Sequence, residues 1–352
     1  MKYRAVDFFC GCGGMTYGLR QSGIKVIAGI DLNPECKETY EINNKGSRFI
    51  MADIKELNSE YLEKKLKIKK NDDSMIFVGC SPCQYYSIIN TNKEKSKHSK
   101  DLLMDFMKFV KYYNPGFVLV ENVPGILSNK ESVFDSFKSA LSKMGYDKIE
   151  YKIINMSYYG VPQSRRRFSL IASRVNKNIT LPKQDFKQSL LKDYIGAKNG
   201  FKKIKAGHKD DTFFIHTVPN LSDINLKRLI NTPKNGGDRL AWKNDKKLQL
   251  KCFKGKDNSF KDTFGRMWWN RPAPTITTKF INISNGRFAH PEEDRAISLR
   301  EGATLQTFPK NYIFKTTSIV ITAKLIGNAV PPEYAKRLGK IIINSESSRN
   351  EK

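Results

Sequence analysis

The feature that most limits what this chain can fold into is an alternation in its first half. Runs rich in β-branched and aromatic residues, Tyr3 to Phe9, Lys25 to Asp31, Arg48 to Asp53, Ser74 to Cys80, Gly116 to Asn122 and Arg167 to Ser173, read as strands. Between them, "PECKETYEINN" from Pro34 and "DLLMDFMKFVKYY" from Asp101 carry helical spacing, the first with Asn33 and Pro34 as a start signal. Strand, helix, strand in repetition predicts an α/β chain with a mostly parallel, doubly wound sheet. After about Ser173 the texture turns to Lys, Asn, Asp and Gly with scattered aromatics, which predicts a smaller, irregular domain over 174–290. Helical patterning returns at "SLREGATLQTF" and "PPEYAKRLGKIII", and the polar tail 346–352 is expected to fray.

Charge narrows the partners. Lys and Arg number 62 against 35 Asp and Glu, a formal net charge of +27 that points to a polyanion. No apolar run is long enough to span a bilayer and no signal peptide opens the chain, so nucleic acid is favoured over a membrane surface and a cytoplasmic protein is expected. Six cysteines in a chain of 352 residues without an export signal read as reduced thiols rather than a disulfide framework.

"DFFCGCGGMTYG" follows the first strand and opens a helix, the place where a doubly wound sheet binds a nucleotide-like ligand. Gly11, Gly13 and Gly14 allow a tight turn and a close approach, but Thr16 stands where a dinucleotide fingerprint wants glycine, which weakens a pyrophosphate reading. Asp31 ends the second strand, where a carboxylate hydrogen-bonds ribose hydroxyls, and Asp53 ends the third, where it can accept from an adenine amino group. An adenosyl ligand without a phosphate requirement follows, and S-adenosylmethionine fits better than NAD. The plain alternative is a glycine turn with two surface carboxylates.

"FVGCSPCQYYS" holds a C-x-x-C pair with three readings. Zinc would draw on Cys10, Cys12, Cys80 and Cys83, but Cys10 and Cys12 interleave with the ligand-binding glycines and C-x-C is not a usual knuckle spacing. A redox pair would open a helix, whereas Pro82 and a long polar run follow here. The third reading makes Cys83 a nucleophile at the carboxyl end of a strand, Cys80 a packing residue, and Glu121 of "ENV" the acid at the end of the next strand.

"FCGCGG", "SPCQ", "ENV", "YGVPQSRRR", "RPAPTIT" and "GNAVPP", in this order and at these spacings, resemble the ordered motif set of the cytosine-5 DNA methyltransferases, bacterial restriction-modification type, over most of residues 4–173 and 265–340. The resemblance implies a Rossmann-like, class I methyltransferase fold with S-adenosylmethionine as cofactor. The catalytic domain would be 1–173, completed by 291–345, with 174–290 inserted as a target-recognition domain. It implies that Cys83 adds to C6 of a flipped cytosine, that Glu121 contacts the N3 and N4 edge, and that Arg165 lies nearest the base carbonyl. Gln163 and Arg167 would hold backbone or loop beside the nucleotide, with Gln84, Ser87, Asn122 and Arg271 on the substrate side. Phe9, Leu32, Ile54, Pro82 and Leu102 would border the cofactor, and Asn328 would lie near its amino acid end. These apolar positions also suit plain core.

Base flipping follows from the chemistry, since C6 is out of reach in a stacked duplex. Lys93, Lys95 and Lys97 after the nucleophile are candidates for phosphate contact, and Lys203, Arg228, Lys234, Arg239, Trp242 and Lys243 for groove reading. The partner expected is double-stranded DNA, bound by a monomer without a metal, and the chain is compatible with pairing to a restriction endonuclease. A tRNA methyltransferase of the same architecture and a non-catalytic DNA-binding module are the alternatives. The long basic middle region argues against the first and the intact Cys83, Glu121 and Arg165 against the second.

Overall fold

The computed structural model describes residues 3–82, 101–129 and 131–350, with side chains as far as 345. It divides into two compact units. One holds Met1–Asn155, Arg166–Gln184 and Ala329–Lys352; the other holds Met156–Arg165 and Asp185–Asn328. The sequence division had grouped 291–345 with the first domain, whereas 291–328 packs within the second unit.

The first unit is an open α/β sheet. Its elements are β1 (Arg4–Phe8), α1 (Gly14–Gln21), β2 (Lys25–Asp31), α2 (Lys37–Asn43), β3 (Arg48–Met51), α3 (Glu60–Leu66), β4 (Met75–Gly79), α4 (Leu102–Tyr113), β5 (Phe117–Asn122), α5 (Gly125–Ser128), α6 (Phe134–Lys143) and β6 (Lys148–Asn155). After β7 (Gln163–Ser164), which belongs to the second unit, the chain returns as β8 (Arg166–Ser173). Seven strands run in the order β3-β2-β1-β4-β5-β8-β6. The first five pair in parallel, while β8 lies antiparallel to β5 and to β6. Every residue of β4 and β5 is buried, which is why β4 and the first four residues of β5 read as apolar runs.

Each predicted strand appears within two residues of its expected ends. Asn33 caps the turn into α2 by accepting from the Glu35 N–H at 3.2 Å. Strand β6, and helices α3 and α6, had no counterpart in the sequence reading. β6 is a half-exposed edge strand whose alternation of Ile149, Tyr151 and Ile153 with Glu150 and Lys152 is the period-2 signal that marks it. Phe8 of β1 packs edge-on or tilted against Phe77, Phe106 and Phe109, centring the core between the sheet and α4.

The last helix of this unit, running over Pro332–Asn350, packs on α1. Gly18 is required for that contact, because a Cβ there would stand 2.2 Å from the Pro332 carbonyl oxygen and 2.5 Å from Ala335 Cβ. The helix backbone continues through Asn350, so the tail expected to fray from 346 is helical in that stretch.

The second unit is irregular, as its composition predicted. Its helices are α7 (Asp223–Ile230), α8 (Leu299–Leu305) and α9 (Ile319–Asn328), which makes Pro332–Asn350 α10. Strand β7 pairs in parallel with β9 (Ala273–Pro274). A small core gathers Val218, Leu229, Trp242, Leu248, Phe264 and Ile283. Around it, loop carbonyls without a ladder partner are met by fully buried arginines. Arg266 donates to the carbonyls of Thr232, His290, Glu293 and Leu229 and pairs with Asp294. A guanidinium supplies five donors, so it replaces a sheet ladder where the backbone is irregular.

Candidate active site

The strand order reverses direction between β1 and β4, and in an open α/β sheet ligands bind at the carboxyl ends of the strands flanking such a point. Phe8 at the end of β1 sits opposite Gly79 at the end of β4, and Cys80 N–H donates to the Phe8 carbonyl at 3.4 Å. The glycine loop and the segment that starts at Cys80 therefore leave the sheet side by side. β5 is the next strand, and its last residues are Glu121 and Asn122.

In the glycine loop, Phe9 and Gly11 have positive φ values of 63° and 52°, and Gly13 caps α1 in the left-handed region. A Cβ on Gly11 would meet nothing within 4 Å. The Gly11 N–H donates to Asp31 Oδ2 at 2.8 Å, and Asn33 N–H donates to Asp31 Oδ1 at 2.9 Å, so the Asp31 carboxylate is aimed by backbone on both sides. Burial pushes its pKa up, and those backbone donors hold part of the rise back. Leu32 beside it is 61% exposed, an apolar side chain left in solvent at the strand end. Asp53 is half-buried and accepts the Lys55 N–H at 2.9 Å. Ile54 is core, Leu102 and Phe9 are partly buried against that core, and Pro82 is exposed.

One residue here was not anticipated. Asp7, next to the last residue of β1, is fully buried, and its Oδ2 accepts from Thr16 Oγ1 at 2.7 Å. Thr16 is in turn 3.1 Å from the Tyr40 hydroxyl, which is 2.7 Å from Ser47 Oγ. Burial drives the Asp7 pKa up to about 7, against the lowering effect of the Thr16 hydrogen bond, with the neighbouring Asp31 adding to the rise. A lone carboxylate among apolar strand residues was the signal for it in the sequence. Thr16, which counted against a dinucleotide fingerprint, is the hydroxyl that this carboxylate uses.

Glu121 is buried beside Arg167, whose Nε lies 3.3 Å from Glu121 Oε1. Asn122, 2% exposed, donates through its amide to Ser81 Oγ at 3.3 Å and toward the Ser81 carbonyl at 3.5 Å, while its own oxygen accepts the Val123 N–H. It ties the end of β5 to Ser81, in the segment that follows β4. Burial, with Asp7 and Glu121 nearby, pushes the Cys80 thiol well above its ordinary pKa, which makes it a poor thiolate. Cys10 and Cys12 are raised as well, chiefly by burial. Among the described residues no three His, Cys, Asp or Glu side chains are arranged to hold a metal ion. Cys83, Gln84 and Ser87, with Lys93, Lys95 and Lys97, lie outside the described residues.

In the second unit three of the sequence motifs are knitted together. Gln163 is fully buried; its amide nitrogen donates to the Leu305 carbonyl and to Gln306 Oε1, and its oxygen accepts the Ile276 N–H. Its amide thus holds backbone of two other segments of the unit. Arg165 is 3% exposed, and its Nη1 reaches the carbonyls of Ile276 and Gly327 at 3.3 Å each. Asn328 is exposed at the end of α9. Arg271 is exposed and stacks 4.5 Å from the Trp268 ring centroid.

Three groove-reading candidates are also corrected. Arg228 is buried and donates to the Leu248 carbonyl, Trp242 is core and donates to Thr232 Oγ1, and Arg239 is fully buried on loop carbonyls. Lys234 and Lys243 are exposed but ion-paired with Asp294 and Asp257, and Lys203 is exposed.

The family model of the C-5 cytosine-specific DNA methylases matches residues 3–344. The chain belongs to this family. The methylase is 36% identical over 346 residues to the Type II methylase M.HgiDII of Herpetosiphon aurantiacus, covering 96% of this chain and 94% of that one. It is 32% identical over 350 residues to the Type II methyltransferase M1.BsuMI of Bacillus subtilis, covering 94% and 78%. Among solved structures, a prophage-encoded DNA modification methyltransferase of E. coli superposes with a TM-score of 0.74 at 22% identity, covering 98% of this chain and all of that one. The S. pombe Dnmt2 methyltransferase superposes with a TM-score of 0.63 at 16% identity, covering 99% and 100%. These two likenesses bear on the fold, a Rossmann-like sheet of the class I type. The methylase thus acts on C5 of cytosine in DNA. No helix among the described residues is long and apolar enough to cross a membrane.

Proposed function

We propose that this methylase transfers the methyl group of S-adenosylmethionine to C5 of a flipped cytosine in a specific duplex site through a covalent adduct of Cys83 with C6. The observation that carries the reading is the shared edge of β1, β4 and β5. The open glycine loop, the segment entering Cys83, and Glu121 with Arg167 at 3.3 Å all leave the sheet there. Gly11 with open space at its Cβ direction, the anchored Asp31 carboxylate, Asp53 and the exposed Leu32 suit an adenosyl ligand with hydroxyl donors and positive charge. Two carboxylates at the loop disfavour a pyrophosphate by like-charge repulsion. When bound, S-adenosylmethionine supplies an electrophilic methyl on a sulfonium.

The chain's own residues make C5 reactive. Cys83 as thiolate forms a bond to C6, and Glu121 favours a proton at N3, so that C5 gains enamine character. Arg167 holds the Glu121 carboxyl in place, and Asn122, through Ser81, positions the segment that carries Cys83. After methylation, loss of the C5 proton breaks the bond between sulfur and C6 and returns the thiolate. Arg165 closes the motif cluster of the second unit and acts on the base side. The names of the Type II relatives support a role in protecting host DNA from a cognate restriction endonuclease.

The test uses labelled S-adenosylmethionine with duplex DNA and with tRNA, followed by bisulfite sequencing of DNA from expressing cells. Label in DNA and not in tRNA, at one recurring sequence, is expected. Replacing C5–H by C5–F removes the proton whose loss ends the adduct, so wild-type protein should form a denaturant-stable complex with 5-fluorocytosine DNA and Cys83→Ser should not. Methyl transfer by Cys83→Ser at the normal rate would overturn the mechanism.

A further inference from the structure

We propose that the loop Lys251–Lys261 of the second unit is the base-reading element of the methylase, with Asn258 and Phe260 at base edges, and that Arg239 is the positioning residue that gives the loop one shape. The inference rests on the reading of duplex DNA as substrate and names which residues of this chain recognise it.

Arg239 is fully buried under the loop. Its Nη2 donates to the carbonyls of Lys256 and Ser259 at 2.5 Å each, its Nε donates to the Phe260 carbonyl at 3.1 Å, and its guanidinium lies 4.5 Å from the Phe253 ring centroid. Two further ties hold the loop. Lys243 pairs with Asp257 at 2.8 Å, and Arg287 donates to Asp262 Oδ1 at 2.7 Å just beyond the loop's end. Three carbonyls gathered on one guanidinium remove most of the freedom of the peptides between them, so the loop presents its side chains without a large ordering cost on binding.

What it presents suits DNA. Phe260 is 60% exposed and Asn258 is exposed, and the Asn258 amide has no partner among the described residues. Lys251, Lys254, Lys256 and Lys261 are exposed around them, while the one acid in the loop, Asp257, is neutralised by Lys243. An uncharged amide and an aromatic ring add no charge attraction to phosphates, and beside four lysines they are the groups of the loop able to discriminate bases. They serve base edges, the amide by a paired donor and acceptor of the kind adenine takes, the ring by contact with a thymine methyl or a base step. The lysines serve phosphates, which carry affinity without sequence information. Arg239, one of the residues the sequence suggested for groove reading, acts through the loop it braces.

The experiment uses the full-length methylase on duplex oligonucleotides carrying its mapped site and every single-base variant of it, comparing kcat/KM. Asn258→Ala and Phe260→Ala should each lose about tenfold to a hundredfold on the mapped site and lose discrimination at one base position, with binding to unrelated DNA unchanged. Lys254→Ala should weaken binding to all sequences alike and reduce the salt dependence by about one unit of slope. Arg239→Lys should lose the contributions of Asn258 and Phe260 together, so that adding Asn258→Ala costs little more. Unaltered discrimination at every position in both Asn258→Ala and Phe260→Ala would overturn the proposal. These two surface changes carry the test even if Arg239→Lys fails to fold. Failure of the wild-type protein to methylate any duplex would instead overturn the reading of DNA as substrate.

Discussion

The Arg167 guanidinium stands 3.3 Å from the Glu121 carboxylate, Nε to Oε1, on neighbouring antiparallel strands β8 and β5. Both side chains are largely buried, so the pair is screened little and the arginine bears the cost of desolvation, which lowers its pKa while Glu121 opposes the fall. Removing Arg167 leaves Glu121 as a buried carboxyl with altered charge balance at the reaction edge. Arg167→Ala is expected to lower kcat about tenfold to a hundredfold, a share of what general acid catalysis contributes, with the KM for S-adenosylmethionine little changed. Arg167→Lys should recover part of the loss. Steady-state kinetics over a pH series check this, and wild-type kcat in Arg167→Ala would refute it.

Gly11 offers a separable test of the cofactor edge. A Cβ there meets no protein atom, and its cost to the fold is that of a side chain at φ +52°, about 1 kcal/mol. Gly11→Ala should therefore fold with nearly wild-type stability yet bind S-adenosylmethionine at least about tenfold more weakly, one such loss being about 1.4 kcal/mol. Isothermal titration with the cofactor alone measures it without turnover.

The two cysteines of the C-x-x-C segment should separate in reactivity. The half-buried Cys80 thiol, held well above its ordinary pKa, should be alkylated slowly at neutral pH, and Cys80→Ala should retain methyl transfer. Cys83→Ser should abolish it. Purified protein is expected to carry no stoichiometric zinc; metal near one equivalent, lost together with activity on chelation, would contradict this assignment.

Buried acids set opposite pH dependences in the two units. Glu301 is fully buried and bidentate to Arg295, Nη1 to Oε2 at 2.7 Å and Nη2 to Oε1 at 2.9 Å, and it also completes the capping box of α8 with Ser298. Its pKa is brought down to about 2 by Arg295 against the opposing effect of burial, so its stabilisation is present above about pH 4.5 and is lost as pH falls toward 2. Arg295→Met leaves that carboxylate buried and unpaired and should cost about 3–5 kcal/mol. Asp7 works the other way: its pKa rises to about 7, so the stability tied to its protonated form is present below about pH 4 and is lost as pH rises through 7. Asp7→Asn should remove that decline, and denaturation midpoints of the variant minus wild type, measured from pH 5 to 8, should grow with pH.

The first unit was legible because its signals are local. A buried parallel strand is apolar over most of its length, a tight turn into a helix favours glycine, and residues placed at or just after a strand's end land on the sheet's carboxyl edge. Hence "FCGCGG", the segment before Cys83 and Glu121 could be assigned to one edge from their positions alone. Edge strand β6 carries only the alternation of a half-exposed strand, a weaker signal than the apolar runs of the central strands.

The sequence by itself determined the doubly wound sheet, the family and the residue types at the sheet's carboxyl edge. Only the tertiary structure decided which polar side chains face solvent. Arg239, Gln163 and Arg228 look like surface groups in the sequence, yet each is buried by partners distant along the chain: carbonyls at Lys256, Ser259 and Phe260, the pair Leu305 and Gln306, and the carbonyl of Leu248. No period records such pairings, because an irregular backbone leaves carbonyls wherever its loops meet, and the side chain that satisfies them is selected by proximity in space rather than by spacing in sequence.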